Sequence, residues 1–217
     1  MEYSGVNIEW LGHSAFRITK GKTIYIDPYN IKPAAPADLI LITHEHFDHC
    51  SIEDVQKILK GNTTIITTPA AKDKLRSLWE KARIETIRPG QSYDVDNVRV
   101  EAVPAVNTNK FRSPGVPYHS EKMGGVGFVI EIAGVRIYHA GDTDMIPEMA
   151  KLEVDVALLP VGGKYTMNAS EAAEAVNLIR PGVAVPMHWG DLIGTRADAE
   201  AFQKASKVPV VILEKTS

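Results

Sequence analysis

The chain has a single cysteine, Cys50, in 217 residues. No internal disulfide can form, which points to a reducing compartment and a cytoplasmic protein. A basic excess is also missing. Lys plus Arg is 24 against 27 for Asp plus Glu, a formal net charge of −3. Nucleic-acid-binding domains usually show the opposite balance, so no nucleic-acid partner is expected. No apolar run approaches the ~20 residues that span a bilayer, so no membrane partner is expected. The opening stretch MEYSGVNIEWLGHSAF lacks a basic start followed by a long apolar run, so no signal peptide is expected. There is no G-x-S-x-G and no Gly-rich phosphate loop, which sets aside serine nucleophile and P-loop chemistry. There is no low-complexity linker, charge block or short-period repeat, so one domain over 1–217 is expected. Hydrophobic residues make up 44%, enough for a core and too many for a disordered chain.

What the chain does have is short β-type runs. NIEWL (7–11), AFRIT (15–19) and TIYID (23–27) lie close together, as in an antiparallel meander. LILIT (39–43) is almost continuously apolar and predicts a strand buried on both faces. Ser51, with Asp54 three residues on, predicts a helix start, and Gly61 its end. TTIIT (63–67) is a further strand, and Pro69 opens a predicted helix over 69–82. IETI (84–87) and VRVEAV (98–103) are strands. The segment 107–125 has no periodicity and is read as a long loop of the kind that often carries function. GFVIEI and VRIYHA form a hairpin around Ala133-Gly134, followed by the strand DVALLP. A helix over 169–179 has Asn168 or Ser170 as cap, and VAVPMHW is a strand ending at His188. A helix over 195–206 and a last strand, VPVVIL (208–213), complete the chain. Each half is strand-rich first and helix-bearing later, which suggests two sheets face to face with helices outside.

The stretch THEHFDHC (43–50) crowds three histidines and two carboxylates into eight positions at a strand-to-helix turn. Alternation sends His44 and His46 to the same side, with Glu45 and Phe47 facing away. Past the strand, Asp48 and His49 point back to a neighbouring position. The natural division is two imidazoles for one metal and a carboxylate plus imidazole for another. Imidazole and carboxylate are ordinary ligands of Zn²⁺, Mn²⁺ or Fe²⁺. Cys50 follows directly, but the helix start turns it away, and it is read as a small buried thiol.

The arrangement H-x-H-x-D-H at 44–49, with AGDT (140–143) and PMHWG (186–190), resembles the metallo-β-lactamase superfamily over nearly the whole chain. WLGHSAF, IDP (26–28) and LPVGGKYTM (159–167) resemble a narrower branch, that of the L-ascorbate-6-phosphate lactonase family and related metal-dependent hydrolases. The resemblance implies an α/β fold, a four-layer αββα sandwich of two mixed sheets flanked by helices. It implies two divalent ions, Zn or Mn with Fe open. His44 and His46 would hold the first, Asp48, His49 and His188 the second, with Asp142 bridging.

One position departs from the family pattern. VPAVNTN (103–109) places Asn107 where relatives commonly carry a third histidine. Either the amide oxygen weakens the site and favours an ion such as Mn²⁺, or His119 folds back from the long loop as the replacement. His119 is expected near the metals, the competing reading being a solvated loop histidine. His13 either lines the pocket or supports a ligand, or is a hydrogen-bonded turn residue. His139 is read as structural. Gly163 either lets the backbone pass close to substrate or is a turn glycine only. Lys110, Arg112, Lys122 and Lys164 either form a positive rim for an anionic substrate or are solvated loop cations.

The expected reaction is attack by a metal-bridged hydroxide on an ester, lactone or phosphodiester, with Asp48 as proton acceptor. His188 is expected in the catalytic set as a ligand. The expected partner is a small-molecule substrate, and the branch makes a homo-oligomer plausible. The competing readings are a small-molecule phosphodiesterase or nuclease, a di-iron redox or sensing protein, and a non-catalytic binding protein.

Overall fold

The computed structural model describes residues 1–32 and 35–216. The first half forms one seven-stranded sheet in chain order: β1 (Glu2–Tyr3), β2 (Val6–Gly12), β3 (Ala15–Thr19), β4 (Thr23–Ile26), β5 (Leu39–Ile42), β6 (Thr64–Thr67) and β7 (Arg83–Thr86). The meander β1–β4 is antiparallel, and β4 to β7 pair in parallel. Parallel neighbours need a crossover. Helix α1 (Ile52–Ile58) supplies it between β5 and β6, and α2 (Pro69–Lys74) between β6 and β7.

Sheet two has the order β15-β14-β13-β12-β9-β8. Its strands are β8 (Ser92–Val95), β9 (Val98–Pro104), β12 (Val126–Ile132), β13 (Val135–His139), β14 (Val156–Pro160) and β15 (Val183–Met187). Between β9 and β12 a small separate hairpin pairs β10 (Phe111–Ser113) with β11 (Val116–Pro117). Antiparallel pairing again gives way to parallel, at β13–β14–β15. The hairpin at Ala133-Gly134 turns through two positive-φ residues, +52° and +77°, which match the twist of its strands. Helices α3 (Ala169–Ile179) and α4 (Arg196–Ala205) pack against β14 and β15.

Alternation builds the layers. Ile24, Ile26, Leu39, Leu41 and Ile66 join the core between the sheets, whereas Tyr25, Ile40, Ile42 and Ile65 pack with Val55, Ile58, Ala71 and Leu75 of the helical layer. Successive strand residues face opposite sides, so a strand covered on both must be apolar throughout, as Leu39–Ile42 is. The result is the four-layer αββα sandwich. Among the described residues, no helix is long and apolar enough to cross a membrane.

Several elements differ from the sequence expectations. The helix predicted over 69–82 stops at Lys74 and tightens into a 3₁₀ turn at Arg76–Leu78. The Leu75 N–H is shared between the Ala71 and Lys72 carbonyls, which begins the tightening. Helix α1 ends at Ile58, before Gly61, because Leu59 is already extended. The segment 107–125 is not a plain loop: it contains β10, β11 and a 3₁₀ turn at Glu121–Met123. VPVVIL does not form a strand. It touches β15 through one parallel bridge, Ala184 to Val210. Pro209 has no N–H to donate, so the ladder cannot extend there.

Candidate functional site

The parallel strands bring the chemistry together at their carboxyl ends, where open α/β sheets place their sites. His44 to His49 follow β5, Asp142 follows β13 and His188 follows β15. After β5 the chain closes on itself, with the His46 carbonyl accepting from the N–H groups of His49 and Cys50. The Val126 N–H donates to the Thr43 carbonyl and joins the two sheets at this edge. Gly141 makes that approach possible. At its φ of +64° a Cβ would lie 2.7 Å from the Val126 carbonyl oxygen.

Two groups of donor atoms converge. In the first, His44 Nε2 lies 3.0 Å from His46 Nδ1, and His119 Nε2 lies 3.1 Å from the same His46 atom. In the second, His49 Nε2 is 3.6 Å from Asp48 Oδ2, and His188 joins them. Asp142 stands between the groups. Its Oδ2 is 3.4 Å from His119 Nε2 and 3.2 Å from His188 Nε2, and its Oδ1 is 3.2 Å from His49 Nε2. His119 therefore comes back from the 107–125 segment to the cluster.

Asn107 explains how His119 is aimed. Its Oδ1 accepts from the His119 backbone N–H at 2.7 Å and pairs with Nδ1 at 2.9 Å, while its Nδ2 donates to the Tyr165 carbonyl. Nδ1–H is thus engaged, and Nε2 keeps its lone pair toward the cluster. Two further residues, overlooked in the sequence, do the same for other rings. Asp27 accepts from His49 Nδ1 at 2.7 Å and from the Thr43 hydroxyl at 2.6 Å. That hydroxyl, its proton committed to Asp27, accepts from His44 Nδ1 at 3.0 Å. The signal available was a carboxylate at the end of β4, the strand paired in parallel with β5.

His188 is held differently. It has a φ of +58°, and its N–H donates to the His13 carbonyl. Its ring lies on that of His13, centroids 4.1 Å apart. The same His13 carbonyl accepts from Trp10 Nε1, and Trp10 stacks on Trp189. His13 Nε2 is 3.0 Å from Asp48 Oδ2, so His13 touches two members of the second group. His139 is structural, as expected: Nε2–H donates to the Ser14 carbonyl and Nδ1 accepts the Gly141 N–H.

Charge in the cluster suits cations. Burial pushes His44 well below the usual imidazole range and lowers His119 as well. Burial opposes ionisation of Asp142, but the imidazoles of His188 and His49 outweigh it and hold the carboxyl well below its ordinary value. Burial likewise opposes charge on Asp48, yet the hydrogen bond from His13 brings it to about 2. Burial also disfavours charge on His49, but Asp142 and Asp27 overcome it and raise this imidazole well above its ordinary value. His49 Nε2, His188 Nε2 and Asp142 Oδ1 are buried with no hydrogen-bond partner. Unsatisfied buried polar atoms cost about 1–3 kcal/mol each. Divalent ions would satisfy all three at once, displacing the proton that His49 otherwise holds, and the imidazoles with Asp142 are a fitting donor set.

A cleft of about 470 Å³ opens over the cluster. His13, His46, Asp48, His119, Asp142 and His188 form its floor, and Phe47, Arg112, Tyr118, Tyr165, Leu192 and Ile193 line the rest. Several expectations are corrected here. Phe47 faces the cleft, because the chain has left strand geometry by then; Glu45 stays out of the lining. Lys110 does not reach the cleft. It is bound by Glu171 at 2.7 Å and lies 3.6 Å from Asp144. Lys164 sits over the Tyr165 ring, and Lys122 is also outside the lining. Gly163, at φ +81°, serves the turn against Asn168 rather than the cleft. Cys50 is buried away from the cluster, and burial pushes its thiol up to about 12.

A family model for the beta-lactamase superfamily domain matches residues 7–188. The chain belongs to the metallo-β-lactamase superfamily. A UPF0173 metal-dependent hydrolase from Thermococcus onnurineus is 40% identical over 234 aligned residues, covering 96% of each chain. The crystal structure of a candidate metal-dependent hydrolase from Parabacteroides distasonis superposes with a TM-score of 0.82 at 32% identity, over 97% of this chain and 94% of that one. Igni18, a metallo hydrolase from Ignicoccus hospitalis, is 26% identical with a TM-score of 0.75, over 98% of this chain and 96% of its own. Fold and relatives together make this a metal-dependent hydrolase of the metallo-β-lactamase superfamily.

Proposed function

We propose that this superfamily member is a binuclear hydrolase of a small ester, lactone or phosphodiester. His44, His46 and His119 would hold one ion, and Asp48, His49 and His188 the other, with Asp142 shared. The observation that carries this reading is the position of Asp142, within 3.4 Å of an imidazole from each group. With His119 completing three imidazoles, the first set suits zinc as well as manganese, and Asn107 gives no reason to favour the latter. Bound divalent ions supply Lewis acidity and acidify water enough to make hydroxide available near neutral pH.

The chain's own residues do the rest. Asp27, Thr43 and Asn107 fix which nitrogen of three rings faces inward. Asp48, ionised and held by His13, stands at the cleft floor to accept the proton of the attacking water. The cleft volume fits a small molecule rather than a polymer strand.

The test is metal content by plasma mass spectrometry, on protein purified without chelator or histidine tag. About two equivalents of Zn, Mn or Fe per chain are expected for a site of this kind. Asp142→Ala should lose turnover across an ester and phosphodiester panel and retain less metal, with its circular dichroism unchanged. Protein that takes up no metal on dialysis would instead be the non-catalytic binder.

A further inference from the structure

The cleft has walls of one chemical kind and one cation. Phe47, Tyr118, Tyr165, Leu192 and Ile193 present aromatic and aliphatic carbon. Phe47 and Leu192 are 63% and 49% exposed, and large apolar groups left open together at the rim of a cleft mark a contact surface. Tyr118 and Tyr165 meet edge to face, centroids 4.8 Å apart, and give the wall a fixed shape. Apart from the two tyrosine hydroxyls, such walls offer no partners for the many hydroxyls of a sugar, whose burial without partners is unfavourable.

Arg112 is the only Lys or Arg among the described lining residues. Its guanidinium makes one long contact, 3.5 Å to the Tyr118 carbonyl. Among the described residues no carboxylate lies within ion-pair distance of it. Lys110, on the same segment, is by contrast already neutralised by Glu171. Arg112 is therefore an uncommitted cation carried over the cleft by β10.

We propose that the substrate is an ester or lactone with an apolar body and one carboxylate. The apolar body rests against the aromatic wall, and Arg112 takes the carboxylate. The inference rests on the hydrolase reading above. A planar guanidinium matches a carboxylate through two parallel hydrogen bonds. A phosphomonoester carries nearly two charges at neutral pH, and the lining offers it one cation. In the reaction the acyl carbon gains a C–O bond from water and loses its C–O bond to the leaving oxygen. One water proton passes by way of Asp48 to that oxygen, and the other goes to solvent when the new acid ionises. A lactone opens by the same exchange into a hydroxy acid.

The test uses the metal-loaded enzyme and its Arg112→Gln variant. Arg112 is exposed, so this change leaves the core untouched. The substrates are para-nitrophenyl hexanoate, mono-para-nitrophenyl adipate (the same chain ending in a carboxylate) and phosphogluconolactone. The wild type should prefer the adipate over the hexanoate by about tenfold in kcat/KM, the scale of one charge-assisted contact. In the variant that ratio should fall close to unity, through KM. Equal use of the two esters, a preference that survives Arg112→Gln, or phosphogluconolactone as the best substrate would each overturn the proposal. If none of the three is turned over, metal content and the phosphodiester panel decide the hydrolase reading separately, and calorimetric titration with phenylbutyrate decides this one. Binding weakened about tenfold by Arg112→Gln supports it. No binding, or equal binding to both proteins, refutes it.

Discussion

At His119 the outer ring nitrogen controls the inner one. Asn107 Oδ1 engages Nδ1 and the backbone N–H together, so ring and main chain are held by one side chain. Replacing Asn107 with Leu keeps much of the volume and removes the acceptor. Partners of this kind are usually worth about 10–100-fold in metal affinity. Asn107→Leu should therefore lose its first equivalent of metal to a chromophoric chelator about 10–100-fold more readily than wild type. An unchanged titration would show that Asn107 serves only the fold. Residues at this scale were unevenly legible. His44, His46, Asp48 and His49 declare themselves because one turn holds them all. His119 was readable only as a candidate, and Asn107 stood in the sequence as a missing ligand, because nothing local says which side chain a distant loop returns.

Helix α1 is short, seven residues, and relies on Asp54 for its seat. The Asp54 carboxylate accepts from the Ser51 hydroxyl at 2.6 Å, from the N–H groups of Asn30 and Ile31, and from Lys57. Burial alone would raise this carboxyl, but these donors outweigh it and its value is lowered. A carboxyl lowered on folding stabilises the protein above its unfolded value of about 3.9, and that stability drains as pH falls through the folded value. Asp54→Ala should lower unfolding free energy by about 2 kcal/mol in urea near pH 7. The gap to wild type should narrow below about pH 4. A gap independent of pH would mean that packing, not charge, is what the substitution removes. The strands and the capped starts of α1 and α3 were readable because alternation and capping are local. The end of α2, the hairpin inside 107–125 and the lone bridge at Val210 were not. Each is set by what packs beside it.

The two sheets meet at the cluster: the β5 turn comes from one, and Asp142 and His188 from the other. Ions held there would tie the halves of the sandwich together. A ligand that binds only the native state at about 100 times its dissociation constant adds about 2.7 kcal/mol. For a chain of this size that corresponds to a Tm shift of about 5–10 °C. Chelation should lower the Tm by about that much while far-ultraviolet circular dichroism persists, because the core between the sheets does not involve the cluster. A Tm indifferent to chelator would separate the cluster from stability and weaken the metal reading with it.

The sequence by itself determined the layers, since period-two burial writes both faces of each strand into the residue order. It also determined the metal-binding turn, whose donors are neighbours in the chain. Only the tertiary structure decided which residues stand behind the donors and what lines the cleft. Asp27, Asn107, Arg112 and Tyr165 come from separate elements and meet at one edge. Their meeting depends on how the strand ends and the 107–125 segment fold over one another, and no local pattern encodes that.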